Sequence, residues 1–81
     1  MQPEALPPLL TRIGFYLETQ ENMMHVVDVR TEEGEITVRL IFPDGTEIDD
    51  LCQDKMRMVA GESLKANYTS TVSGNPAVVF K

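Results

Sequence analysis

Two neighbouring segments of the chain alternate between apolar and polar side chains, as a strand with one buried face does. In the first segment, residues 24–31, the alternating apolar residues are Val27 and Val29. In the second segment, residues 35–42, every second residue from 36 to 42 is apolar. The pattern therefore predicts two antiparallel strands joined as a hairpin.

The length of the hairpin loop decides which residues of the two strands face each other. A four-residue loop over residues 31–34, with its glycine in the left-handed conformation, places Val29 opposite Ile36. The same loop places Val27 opposite Val38, so both apolar rows share one face. A three-residue loop would mix apolar and polar positions on that face. We therefore predict the four-residue loop.

The segment before the hairpin carries apolar side chains at helical spacing. Pro8 suits the first turn of a helix, and an apolar stripe follows it to about residue 21. The stripe consists of Leu9, Leu10, Ile13, Tyr16 and Leu17. Every second residue from 13 to 17 is also apolar and Gly14 weakens a helix, so a strand is the alternative. We favour the helix.

A second helix is predicted over residues 51–60. Asp50 is placed to cap its N-terminus, and Gly61 to end it in the left-handed conformation. The side chains expected on its buried stripe are Leu51, Cys52, Met56 and Val59. Cys52 is the only cysteine, and neighbouring aspartates oppose its thiolate, so we interpret it as buried filler of the core.

Three further strands complete the prediction. Residues 43–45, Pro-Asp-Gly, predict a tight turn after the hairpin, which would pair residues 46–48 with the second strand as a short third strand. Alternation over residues 64–72 and a turn at residues 73–76 predict a closing hairpin. Its last strand, residues 77–80, is expected to lie at an edge that is open to a second copy.

The predicted order, α-βββ-α-ββ, describes one α+β domain over residues 1–81 with an antiparallel sheet packed against one or two helices. Residues 1–7 are expected to form a flexible N-terminal arm. The order is similar to that of the small acidic secretion chaperones, a resemblance that implies a dimer binding extended segments of other proteins. The first five elements also resemble a double-stranded RNA-binding domain, but Asp49 and Asp50 stand where lysines would contact phosphate.

Charge narrows the classes of partner. The net charge of −6, from 13 acidic and 7 basic residues, disfavours nucleic acid and anionic membrane surfaces. Glu32, Glu33 and Glu35 at the hairpin tip form either a solvated loop or a docking point for a basic partner. The absence of a long apolar run and of signal-peptide features, together with the single cysteine, predicts a cytoplasmic protein. We expect a basic or extended protein partner, with no nucleic acid and no membrane.

No pattern in the chain predicts catalysis, a metal or a cofactor. His25 is the only histidine, and a half-buried structural position is favoured because no nucleophile or orienting acid stands at a recognisable spacing. The carboxylates between residues 44 and 54 miss the spacing of a calcium loop. The alternative is a small-molecule-binding or enzymatic domain, with a site assembled at a dimer interface around His25, Tyr68 and Glu47.

Several large apolar side chains fall outside the predicted core. Val26 and Ile41 lie on the opposite face of the hairpin, Phe15 lies off the helical stripe, and methionines supply adaptable thioethers. The predicted protein-interface residues are Phe15, Met24, Val26, Ile41 and Met58. We therefore expect a non-enzymatic protein-binding or regulatory module, an adaptor, inhibitor or chaperone-like protein that acts as a homodimer.

Overall fold

The computed structural model describes residues 1–20 and 24–81. Its elements in chain order are helix α1 (Leu6–Glu18), strands β1 (Val26–Glu32) and β2 (Glu35–Ile41), helix α2 (Asp50–Ala60), and strands β3 (Ala66–Ser70) and β4 (Pro76–Phe80). The strands form one antiparallel sheet in the order β1-β2-β4-β3. The predicted α+β class, with an antiparallel sheet and two helices, is confirmed.

The predicted third strand of the meander is wrong. The turn itself forms, since the Thr46 amide donates to the Pro43 carbonyl at 3.2 Å and Gly45 has a φ of +83°. The chain then runs to α2 without a strand, and β4 occupies the place beside β2. Residues 46–48 offer one large apolar side chain, whereas nearly every residue of β4 is apolar, so β4 gains more from the buried central position. Consequently β4 is not the edge strand that we predicted.

The β1–β2 hairpin has the predicted faces but a shorter loop. Glu33 and Gly34 form a two-residue loop with φ of +52° and +81°, the positive values that a type I′ turn requires. Val29 therefore pairs with Val38, and not with Ile36 as predicted. Because the shift is an even number of residues, the apolar rows still share one face. The type I′ turn matches the twist of the strands, which favours the short loop even with a glutamate at positive φ.

Helix α1 confirms the helical interpretation over the strand alternative. It begins at Leu6, two residues before the predicted start, with its prolines in the first turn where their missing amides cost no hydrogen bond. Leu9 and Ile13 are buried and fix the face that α1 turns to the sheet. Of the first seven residues, for which we expected a flexible arm, Pro3–Ala5 form a 3-10 turn that leads into α1.

Helix α2 is capped one residue earlier than predicted. The side chain of Asp49, not Asp50, accepts a hydrogen bond from the Cys52 amide at 2.8 Å. Gly61 ends the helix at a φ of +74°, as expected. Leu51, predicted to be buried, is exposed, because it lies in the row of α2 that continues four residues later at Lys55, beside the buried stripe and not on it.

Both helices pack on the same face of the sheet. The core on this face joins β2 and β4 to the buried stripes of α1 and α2 and consists of Leu9, Ile13, Val38, Leu40, Phe42, Met56, Val59, Ala60, Leu64, Val78 and Phe80. Val38 pairs with Phe80 across the centre of the sheet, which places two fully buried side chains side by side. The opposite face of the sheet is covered by neither helix.

Candidate interaction surface

A groove of about 480 Å³ opens between α1 and α2. The residues that line it are Arg12, Phe15, Tyr16, Thr19, Lys55, Met58 and Val59. Phe15 is 64% exposed and Met58 is 76% exposed, so two large apolar side chains from different helices meet solvent at one place. Such a surface can exclude water from an apolar ligand.

Helical geometry explains why these side chains share a groove. The buried stripes of α1 and α2 turn towards the sheet, and each helix leaves one flank facing the other helix. Phe15 and Thr19 are four residues apart along the first segment, and Lys55 and Met58 are three residues apart on α2, so each pair lies on one wall. The predicted interface residues Phe15 and Met58 are therefore brought together by the packing of the helices.

Arg12 joins the two helices at the rim of the groove. Its Nε donates to the Val59 carbonyl at 2.5 Å and its Nη2 donates to the Ala60 carbonyl at 3.1 Å. These are carbonyls of the last turn of α2, which lack partners within the helix and carry its negative dipole end. The guanidinium thus donates hydrogen bonds to two carbonyls at the end of α2. Because Arg12 belongs to α1, these bonds also hold the two walls of the groove at a fixed distance.

The rim of the groove is positively charged although the chain as a whole is acidic. Arg12 and Lys55 both line it, and among residues 1–20 and 24–81 neither forms an ion pair. Arg12 donates to carbonyls at the end of α2, whose partial negative charge offsets only part of the charge of the guanidinium. The groove therefore offers an apolar floor with two cations beside it.

The phenol of Tyr16 and the thiol of Cys52, near the floor of the groove, stay neutral at ordinary pH because their pKa values are raised. Burial, and to a smaller extent the negative charge of Cys52, raise the pKa of Tyr16 to about 12. Burial and the nearby Asp49 raise the pKa of the Cys52 thiol, which Lys55 opposes in part. Cys52 is half-buried rather than fully buried. A thiol with a raised pKa is a poor nucleophile, so this environment gives Cys52 no activation.

His25 has the half-buried position that we predicted. Its ring lies edge-on to those of Tyr16 and Phe42, with centroid separations of 5.7 and 5.6 Å. Tyr68 is on β3, at the edge of the sheet opposite to β1, the strand that His25 directly precedes. Glu47 lies in the exposed loop before α2. A single chain therefore does not gather the three residues of the alternative enzymatic site.

The other predicted interface residues lie away from the groove. Val26 and Ile41 pair across β1 and β2 on the sheet face that the helices leave open. Met24 precedes β1 and is strongly exposed. The five predicted residues thus fall on separate surfaces, of which only the groove joins two of them from different helices.

Sequence reasoning missed the exposure of Val27 and Val29, which we assigned to the buried face. They do face the helix side of the sheet, but they are 36% and 47% exposed, because β1 lies at the sheet edge. The charged residues that alternate with them, Asp28 and Arg30, were the available signal, since charges are typical of edge strands.

Over residues 1–20 and 24–81, no group of three or more histidine, cysteine, aspartate or glutamate side chains is arranged to hold a metal ion. In the same part of the chain, none of the helices has both the length and the apolar character needed to cross a membrane. Comparisons with protein-family models, with curated proteins and with solved structures find no significant match to this chain.

Proposed function

We propose that this chain is a non-enzymatic protein-binding module that acts as a homodimer and holds a short apolar segment of a partner protein between its two helices. The observation that carries the proposal is the exposure of Phe15 and Met58 on facing walls of one groove. Fully burying side chains of this kind is worth about 1.5 to 3 kcal/mol each, enough for them to act as anchors of an interface.

The chemistry of the groove indicates what the partner segment carries. The thioether of Met58 adapts to side chains of different shape, which suits recognition of a short sequence with one or two bulky apolar residues. Arg12 and Lys55 on the rim favour an acidic residue beside those apolar ones. The basic partner expected from the net charge would bind at a different surface, the exposed glutamates of the hairpin tip.

A random peptide library displayed on phage tests the groove directly. We expect selection against the immobilised protein to enrich peptides with bulky apolar residues flanked by acidic ones. Fluorescence anisotropy of a selected synthetic peptide should show that Met58→Lys weakens binding by about tenfold or more, because it places a charge at an anchor. Selection without such enrichment, or a Met58→Lys variant that binds as well as the parent, would contradict the proposal.

Val72 supplies the matched control. It is a fully exposed apolar residue in the turn between β3 and β4, outside the groove. Val72→Lys makes the same change of charge on a similarly exposed apolar residue, and it should leave the affinity within about twofold of the parent. Thermal melting of both variants shows that each remains folded.

A further inference from the structure

Strand β1 forms an edge of the sheet, and the hairpin turn decides which of its backbone groups point outwards. In the turn at Glu33 and Gly34, the flanking residues Glu32 and Glu35 face each other as a hydrogen-bonded pair. Antiparallel strands alternate between hydrogen-bonded and non-hydrogen-bonded pairs. The amides and carbonyls of the odd-numbered residues of β1 therefore point away from β2, towards the open edge.

The side chains of β1 differ between its two faces. On the helix side, Val27 and Val29 extend past the edge of the core and are partly exposed, although the residues that pair with them in β2 are fully buried. On the other side, Arg30 Nε donates to Asp28 Oδ2 at 2.7 Å, and Arg39 Nη2 donates to the same oxygen at 3.2 Å. The edge thus combines a half-covered apolar row with one acidic and one basic residue two positions apart.

We propose that a second copy of this chain pairs with β1 in antiparallel orientation about a two-fold axis at Val29, which joins two four-stranded sheets into one of eight strands. The inference rests on the proposed function only for the homodimeric state, and it leaves the helix groove outside the interface. Antiparallel addition of a strand satisfies the outward amides and carbonyls of both copies.

Charge distinguishes this register from its two neighbours. Outward backbone groups of the two copies stay opposite each other only when the pairing shifts by two residues at a time, and each such shift moves the two-fold axis by one residue. With the axis at Val29, all seven residues of β1 pair, and Asp28 faces Arg30 of the second copy twice. With the axis at residue 28, Asp28 faces Asp28 of the second copy, and with the axis at residue 30, Arg30 faces Arg30 of the second copy. Like charges directly opposite each other destabilise a strand pair, so both neighbouring registers are disfavoured.

The apolar row supports the same register. With the axis at Val29, the two Val29 side chains lie side by side on the helix face of the joined sheet. Each is flanked by a buried Val38 in its own chain, so four valines form a continuous row across the interface. Val27 faces Thr31 of the second copy, whose methyl group continues the contact. Pairing thus covers the parts of Val27 and Val29 that remain exposed on the helix face of the single chain.

Complementary charge variants test the pairing. Asp28→Arg places arginine opposite arginine, and Arg30→Asp places aspartate opposite aspartate, so sedimentation velocity should show that each variant raises the dimer dissociation constant by about tenfold or more. Mixing the two variants restores opposite charges at both positions, and we expect the mixture to dimerise like the parent. Glu47→Arg makes the same charge change in an exposed loop away from β1, and should leave the dimer intact.

Amide hydrogen exchange gives a second readout that does not depend on charge. The amides of Val27, Val29 and Thr31 should be protected at concentrations where the parent is dimeric, and should exchange rapidly in Asp28→Arg. A parent that stays monomeric, a mixture that fails to associate, or a dimer that dissociates in Ile41→Lys but not in Asp28→Arg would each overturn the inference. Peptide binding in the groove is measured separately, so these outcomes leave the proposed function to its own test.

Discussion

The two edge strands of the sheet show how one topological position can carry opposite surfaces. Strand β3 is short, with five residues, and its outward side chains are mainly polar. Asn67 Nδ2 in the side chain donates to the Val79 carbonyl of the neighbouring strand at 3.3 Å and to the Lys65 carbonyl just before β3 at 3.4 Å. Strand β1 has seven residues and exposes Val27 and Val29. Proteins protect free edges with short, polar strands, so β3 has the character of a solvent-facing edge, whereas β1 has the exposed apolar side chains on which we base the proposed strand pairing.

The strongest test of this comparison measures how much stability is lost by a substitution at the centre of the sheet and by the same substitution at its edge. Val38 in β2 and Val29 in β1 face each other in the same apolar row, one fully buried and one half-exposed. We expect Val38→Ala to lower the free energy of unfolding by about 1 to 3 kcal/mol, because it leaves a cavity in the core. In the monomer, Val29→Ala should cost less than about 1 kcal/mol.

Urea denaturation at a concentration where the protein is monomeric measures both costs. Thr37→Ala, on the opposite face beside Val38, is the control and should cost little. Equal costs for Val38→Ala and Val29→Ala would mean that β1 is covered within a single chain, and the contrast between the two edges would lose its basis.

The hairpin turns allow the two edges to be loosened one at a time. Gly34 in the β1–β2 turn and Gly74 in the β3–β4 turn have φ of +81° and +92°, and a Cβ at either position would meet no atom within 4 Å. Alanine there is strained by backbone conformation alone, at a cost of about 1 to 2 kcal/mol. We expect Gly34→Ala to raise amide exchange mainly in β1, and Gly74→Ala mainly in β3. Equal exchange in both edges after either change would show that they do not open independently.

The smallest effect concerns pH and the edge formed by β3. Burial, and then the negative charge of Cys52, raise the pKa of Tyr68 above its ordinary value of 10.0, while Arg57 opposes the shift. The folded chain therefore keeps a phenol proton that the unfolded chain releases, so the free energy of unfolding falls as pH rises above 10. Denaturation at about pH 9 and about pH 11 should show a smaller fall in Tyr68→Phe than in the parent. In Val29→Ala, a change on the edge without a tyrosine, the free energy of unfolding should fall with pH by as much as it does in the parent.

The sequence was sufficient for features that depend on local periodicity and insufficient for features that depend on competition between distant segments. Alternation predicted which residues of β1 and β2 share a face, and Gly61 marked the end of α2. The Pro-Asp-Gly turn was also correct, but it could not show that β4 would outcompete residues 46–48 for the place beside β2. The hairpin register failed because glutamate at positive φ is uncommon, which concealed the two-residue turn.

The candidate groove was predictable only in part for the same reason. Phe15 and Met58 each stood out as apolar residues away from the predicted core, but nothing in their own segments indicated that they face each other. Their meeting depends on how α1 and α2 lie on the sheet, and on the bonds from Arg12 to the end of α2. A long-range contact of this kind leaves no periodic signal in the sequence.

The pairing of β2 with β4 also has a consequence for the order of folding. Each hairpin closes a short loop, whereas the pair formed by Val38 and Phe80 closes a long one that includes α2 and β3. Closing a long loop costs more chain entropy before any contact compensates for it. We therefore infer that the pairing of β2 with β4, the central seam of the sheet, limits the folding rate and that neither hairpin does. Stopped-flow refolding would support this if Val38→Ala slows folding more than Gly34→Ala does. Until the seam closes, β2 is itself an exposed apolar edge, and the newly synthesised chain is most prone to aggregation at that stage.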